Sequence, residues 1–215
     1  MAPVPVVTRE RFRMSAVPWS AYVAFSDNLG PRHVRITYDQ GEMEVMTLSF
    51  GHERAKKRLG SIVEVIAEET DTDMEWSGSM TCRREDLARG LEPDECYWIQ
   101  NELLVRGKSA LDLTLDPPPD LALEVEISRS ALDRLRVYAA LGVPEVWRWD
   151  GQTLRVCVLT KRGAYKTSQR SIAFPFLPIA ELAKWLLKNE NLSETKWLHA
   201  FRKWVREQVA HDWKA

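Results

Sequence analysis

Glu124 and Glu126 stand two positions apart in PPDLALEVEIS (Pro118–Ser128), and Asp94 lies upstream in EPDE (Glu92–Glu95). In an extended strand, side chains at i and i+2 share a face. The spacing therefore predicts Leu121, Leu123, Val125 and Ile127 on one face, and Ala122, Glu124, Glu126 and Ser128 on the other. At a rise of ~3.4 Å per residue the two glutamates are about 7 Å apart. Carboxylates this close to one another and to a third acid disfavour each other's charge. A divalent cation is the commonest relief. Asp94 and Glu124 are 30 positions apart (124 − 94), a gap that adjacent strands joined by a long connector can close. Two carboxylates sharing one ion suit Mg²⁺, which prefers hard oxygen ligands and keeps several of its waters. Such an ion offsets charge on a phosphate and lowers the pKa of an attacking water. On pattern alone, a polar strand face that simply meets solvent is the commoner explanation.

Composition limits the setting. The chain has 215 residues, 45% of them hydrophobic and 28% charged. That describes a soluble globular chain long enough for a real core and a helical appendage. No apolar run approaches the ~18 residues of a membrane span, so no membrane partner is expected. The opening MAPVPVVTRERFR lacks a basic region followed by an apolar core, so no secretory signal is expected. Cys82, Cys96 and Cys157 are odd in number and form no CxxC pair. They predict small core fillers in a reducing, cytoplasmic compartment. His33, His52, His199 and His211 are scattered, which argues against structural zinc. The net charge of −1 argues against coating nucleic acid through bulk charge. Local basic clusters remain at Lys56–Arg58, at Arg83 and Arg84, and at Arg129, Arg134 and Arg136. Such clusters are most often solvated faces.

The acids need elements to position them. WSAYVAF predicts a short helix. HVRITYD and EMEVMTL predict a hairpin across Gln40 and Gly41. From Gly51 to Thr70, apolar residues at Leu59, Ile62, Val63, Val65 and Ile66 follow helical periodicity, with Ser49 as N-cap. MEWSG, MTCRR, ECYWIQN and LALEVEI predict strands, with the proline-rich LDPPPD as connector. SALDRLRVYAALG predicts a helix capped by Ser130 and ended by Gly142, with Leu132, Leu135, Tyr138 and Leu141 along one side. EVWRWD and TLRVCVLT form a second hairpin, extended by AYKTS. Trp147 and Trp149 predict packing rather than base stacking. Helices near 179–189 and 194–210 finish the chain. The last carries Trp197, Phe201, Trp204 and Val205 as a stripe that suits core packing, with a dimer seam as the alternative. The pattern is α+β, with a mixed central sheet and helices on its faces.

The order EPD, a long insert, then PDLALEVEIS resembles the PD-(D/E)xK nuclease superfamily. From WSAY to about WVRE, the chain is similar to the putative restriction endonuclease family especially abundant in cyanobacteria. The matching stretches are GEMEVMTLSFGHERAKKRLG, GSMTCRREDLARGLEPDECYWIQNE, DPPPDLALEVEIS and YAALGVPEVWRWDG. The resemblance implies a restriction-endonuclease-like core over residues 1–175, with a C-terminal helical extension over 176–215 packed on the same domain. It implies DNA as partner and Mg²⁺, or Mn²⁺, as cofactor for phosphodiester hydrolysis. It assigns metal binding to Asp94 and Glu124. The superfamily's usual lysine is replaced by Glu126, which then activates water or joins the metal set. Arg134 falls where relatives often carry lysine. It would offset phosphate charge, since arginine stays protonated and is a poor base; an exposed helix charge is the alternative. Glu53, beside His52 in the family's HE pair, would face the metal site; its alternative is a first-turn acid favoured by the helix dipole. Arg83 and Arg84 would contact backbone phosphates. A homodimer would supply two active sites for a double-strand break. Because a fold does not establish a function, a non-catalytic nucleic-acid-binding or protein-interaction module on this scaffold is the competing reading.

Overall fold

The computed structural model describes residues 10–29, 34–126, 130–187 and 192–211, with side chains up to residue 209. Expectations that involve His33, Ile127, Ser128, Arg129 and the His211 side chain lie outside these residues. The chain runs β1 (Arg11–Met14), α1 (Trp19–Asn28), β2 (Val34–Asp39), β3 (Glu42–Thr47), α2 (Phe50–Glu69), β4 (Glu75–Trp76), β5 (Cys82–Arg84), β6 (Arg89–Leu91) and β7 (Glu95–Trp98). It continues through α3 (Glu102–Val105), β8 (Leu121–Val125), α4 (Arg134–Leu141), β9 (Glu145–Trp149), β10 (Leu154–Leu159), β11 (Tyr165–Ser168), α5 (Ile179–Leu187) and α6 (Glu194–His211).

The strands form two sheets rather than one central sheet. The first has the order β1-β3-β2-β6-β5, and the second β11-β10-β9-β8-β7-β4. The second is mixed: β8 and β9 are parallel, joined through α4, while β7 and β8 are antiparallel. The architecture is thus α+β with a mixed sheet and flanking helices. No helix among the described residues is long and apolar enough to cross a membrane.

Period-two alternation decides what each face of β8 does. Leu121, Leu123 and Val125 enter the main core with Leu59, Ile62, Val63 and Ile66 of α2. Ala122 faces a second cluster with Val137, Tyr138, Leu141 and Val146, and Glu124 shares that side. Gly60 lets α2 approach β7, because a Cβ there would sit 3.1 Å from Tyr97 Oη. Helix α2 begins as its sequence suggests: the Ser49 side chain accepts from the His52 backbone N–H at 3.2 Å.

Helices α5 and α6 close the main core. Trp197, Phe201 and Val205 are fully buried in it beside Leu182 and Trp185. Trp197 stacks on Phe201 at 5.4 Å, and Arg58 of α2 lies 5.1 Å over the Trp197 ring. The aromatic stripe of α6 is therefore used inside the chain.

Helix α4 differs from expectation at its start. It opens at Arg134, and its cap is Asp133, whose carboxylate accepts from Arg136 N–H at 3.3 Å. Ser130 instead donates its hydroxyl to Glu44 of β3 at 2.5 Å. Leu132 precedes the helix. The helix ends at Gly142 in the left-handed region, φ +81°, where a side chain would be strained. Strands β1 and β6 and helix α3 are further elements that the sequence pattern leaves unmarked.

Candidate functional site

The register of β7 on β8 pairs Glu95 with Leu123 and Cys96 with Ala122. One more step sets Asp94 opposite Glu124. The Asp94 N–H donates to Leu123 O at 3.1 Å, and its Oδ2 accepts from the Val125 N–H at 2.7 Å. Asp94 thus bridges the end of the ladder, and both carboxylates are buried: Asp94 is 2% exposed and Glu124 1%.

Buried carboxylates need partners, and three other elements supply them. Arg35, on the polar face of β2, donates through Nη1 to Glu124 Oε2 at 3.0 Å, and its Nη2 contacts Asp94 Oδ1. His52 Nε2, from the first turn of α2, lies 2.8 Å from Asp94 Oδ1 and 3.2 Å from Arg35 Nη2. Arg134, at the start of α4, grips Glu124 with two donors, Nε to Oε2 at 3.1 Å and Nη2 to Oε1 at 2.6 Å. Its Nη2 also donates to Glu92 O at 2.6 Å, and its Nη1 to Thr37 Oγ1. One turn along α4, the Tyr138 hydroxyl donates to Glu124 Oε1. Glu124 therefore has two donors on each oxygen.

The titration shifts follow from this packing. Burial acts to raise the Glu124 carboxyl, but Arg134 and Arg35 outweigh it and hold the group below the usual range. Burial pushes Arg35 down against the upward pull of Glu124. Burial likewise works against Arg134, yet Glu124 beside it leaves that guanidinium above its ordinary value. The Tyr138 phenol is raised far up, first by burial and then by the Glu124 charge.

Three of the five residues singled out from the sequence, Asp94, Glu124 and Arg134, fall in one network. Arg134 is 4% exposed and fully engaged, so the exposed-charge reading fails for it. Glu53 lies in the first turn of α2, and its charge acts on Arg35. Its Oε1 is buried and has no hydrogen-bond partner among the described residues. Glu126, just beyond β8, takes its ion pair from Arg148 of β9, with Nε to Oε1 at 2.9 Å. Arg83 and Arg84 pair with Asp27 and Asp86. Among the described residues, no three His, Cys, Asp or Glu side chains group as a metal-ligand cluster.

A cleft of about 620 Å³ opens beside the network, with Glu126, Ser130, Asp133, Arg134, Arg148 and Arg155 on its walls. Arg155 pairs with Asp150 at 2.9 Å. Glu44 of β3, 2% exposed, holds one end of the cleft by accepting from Ser130 Oγ and from the Ala131 N–H.

Arg35, Thr37, Glu44 and Tyr138 were not singled out from the sequence as site residues. The available signal was the alternation of HVRITYD, which puts Arg35 and Thr37 on one face of a strand whose other face is apolar.

Fold and site together define a mixed-sheet α+β protein whose centre is a buried Asp–Glu pair bracketed by two arginines. The family model for Uma2, described as "putative restriction endonuclease", matches residues 19–184, and the chain belongs to that family. Among solved structures, the chain is similar to the crystal structure of a "putative nuclease belonging to DUF820" from Anabaena variabilis ATCC 29413. The two share 13% identity with a TM-score of 0.46, over 78% of this chain and 90% of that one. No curated protein matches the chain.

Proposed function

We propose that this protein is a Mg²⁺-dependent endonuclease that hydrolyses DNA phosphodiester bonds, with Asp94 and Glu124 as its metal-binding pair. The observation that carries the reading is the meeting of these two buried carboxylates on adjacent strands. Membership of the Uma2 family supports the same reading.

The donor set fits a hard cation. Mg²⁺ needs only one or two carboxylates, its remaining positions being filled by water and substrate phosphate. Asp94 and Glu124 would hold it. When bound, the ion would neutralise phosphate charge and acidify a water molecule.

The other roles fall to the chain's own side chains. Glu126, at the cleft wall, accepts the proton of the attacking water once Arg148 turns to the phosphate backbone. Arg148 and Arg155 line the path of the strand and supply sequence-independent phosphate contacts. Arg134 holds Glu124 in place and keeps it charged.

The test is nicking of supercoiled plasmid with Mg²⁺ or Mn²⁺, with and without chelator. Cleavage should vanish with chelator and in Asp94→Asn. Asparagine is the right replacement, because alanine would strand Arg35 and the Val125 N–H in the interior. Metal-independent cleavage, or full activity in Asp94→Asn, would refute the assignment.

A further inference from the structure

We propose that Arg35 is a built-in competitor of the divalent ion: its guanidinium occupies both carboxylates that would hold the cation, Asp94 and Glu124, and it must leave for the cation to bind. This deepens the metal reading above and rests on it.

The argument is one of oxygen lone pairs. A carboxylate oxygen offers two acceptor sites in the plane of the group. Glu124 Oε1 is occupied by Arg134 Nη2 and Tyr138 Oη, and Oε2 by Arg134 Nε and Arg35 Nη1. Nothing more can approach Glu124 until one donor withdraws. On Asp94, Oδ2 takes one donor, the Val125 N–H, and keeps one acceptor site, whereas Oδ1 faces both Arg35 Nη2 and His52 Nε2, so it is Glu124 that is saturated. Among the described residues one group is common to both carboxylates, and that is Arg35. Its planar fork places one nitrogen on each acid, on Oδ1 of Asp94 and Oε2 of Glu124. Withdrawal of this single side chain frees an acceptor site on each carboxylate at once.

Arg134 cannot play this part. It contacts Glu124 but not Asp94, and it is tied to Thr37 and to the Glu92 carbonyl as well. Arg35 comes from the other sheet, on β2, where it pairs with Met46 of β3. Glu53, whose charge acts on Arg35 and whose buried Oε1 lacks a hydrogen-bond partner among the described residues, offers the displaced guanidinium a second carboxylate. In this arrangement Arg35 keeps the metal-free site folded and lowers its apparent affinity. A ligand that binds only the minor, open form pays for the fraction of time that form exists.

The experiment is calorimetric titration of the full-length protein with MnCl₂, comparing the parent with Arg35→Gln and Arg35→Lys. Arg35→Gln should bind Mn²⁺ about tenfold tighter or more, as expected when the closed form predominates. Arg35→Lys keeps the charge but not the fork, and should fall between the two. Melting temperature gives a second readout. Arg35→Gln should melt below the parent in chelator and recover with Mn²⁺; a merely structural arginine would give a loss that the metal does not repair. If Arg35→Gln does not fold in chelator, Arg35→Lys carries the comparison.

Equal or weaker Mn²⁺ binding by Arg35→Gln, with the parent binding normally, overturns the competition and leaves the metal site standing. An affinity of Arg35→Lys equal to the parent's also overturns it, since charge alone would then be at work. Absence of Mn²⁺ binding in the parent and both variants overturns the metal reading itself.

Discussion

Glu124 shows how one residue can be both structural and functional. Its carboxylate carries four donors from three side chains, and each burial cost is met by a partner. Removing the charge with Glu124→Gln leaves two buried guanidiniums under-compensated. Breaking one partner of a buried ion pair typically costs about 3–5 kcal/mol, and urea unfolding of this variant should show a loss in that range. Tyr138→Phe removes only one donor to a charged acceptor and should cost about 1.5–3 kcal/mol. The ordering matters more than either size. If Tyr138→Phe proves the more damaging, the network is not centred on Glu124. The same residue-scale logic separates Glu126 from the pair. It sits just beyond the ladder, where β9 offers Arg148, and so it looks into the cleft rather than at Asp94.

At the scale of elements, the site depends on four pieces meeting: the end of the β7–β8 ladder, the polar face of β2, the first turn of α2 and the first turn of α4. Each was legible in the chain as an element. The Ser49 cap, the Gln40–Gly41 turn and the Gly142 terminus are local rules written in neighbouring residues, and they hold. The start of α4 is different. Ser130 is a good cap by type, but a buried carboxylate 86 positions away, Glu44, takes its hydroxyl, and Asp133 caps instead. Helix α6 is likewise held by long-range contacts. It meets α2 through the Arg58–Trp197 stack and through ion pairs from Arg54 and Arg58 to Glu194 and from Arg202 and Arg206 to Glu69. The Arg54–Glu194 pair is exposed at both ends, and such pairs contribute at most about 1 kcal/mol, so the aromatic burial should dominate. Trp197→Ala should lose about 3–5 kcal/mol in chemical unfolding, whereas Glu194→Ala should be close to neutral.

Across the whole molecule, the two sheets are joined at the site itself. Arg35 and Thr37 of the first sheet reach Asp94, Glu124 and Arg134 of the second, so the chemistry sits on a structural seam. The C-terminal helices do not stand off from this body, because Trp185, Trp197 and Phe201 share one core with Leu123 and Val125 of β8. Ending the chain at Leu187 would uncover the apolar face of α2. That truncation should abolish the cooperative melting transition seen by circular dichroism; a sharp, unshifted transition would show that α6 is a separable appendage. The stripe on α6 is consumed by this packing, so any homodimer must use another face, and sedimentation of the parent at several concentrations would reveal one.

What the chain determined by itself is everything carried by short-range periodicity. Alternation along LALEVEI separated the glutamates from the core leucines, and the EPD segment upstream supplied the acid that the antiparallel ladder sets opposite Glu124. Turns, caps and helix faces follow from the same nearest-neighbour physics. What only the tertiary structure decided is which cations answer those acids. Arg35 reaches Glu124 from 89 positions away, and nothing local distinguishes it from any other strand arginine. Ion pairing in a low-dielectric interior depends on position in space rather than in sequence. It took the folded meeting of two sheets to turn a divalent-cation pattern into a carboxylate pair already held by a guanidinium.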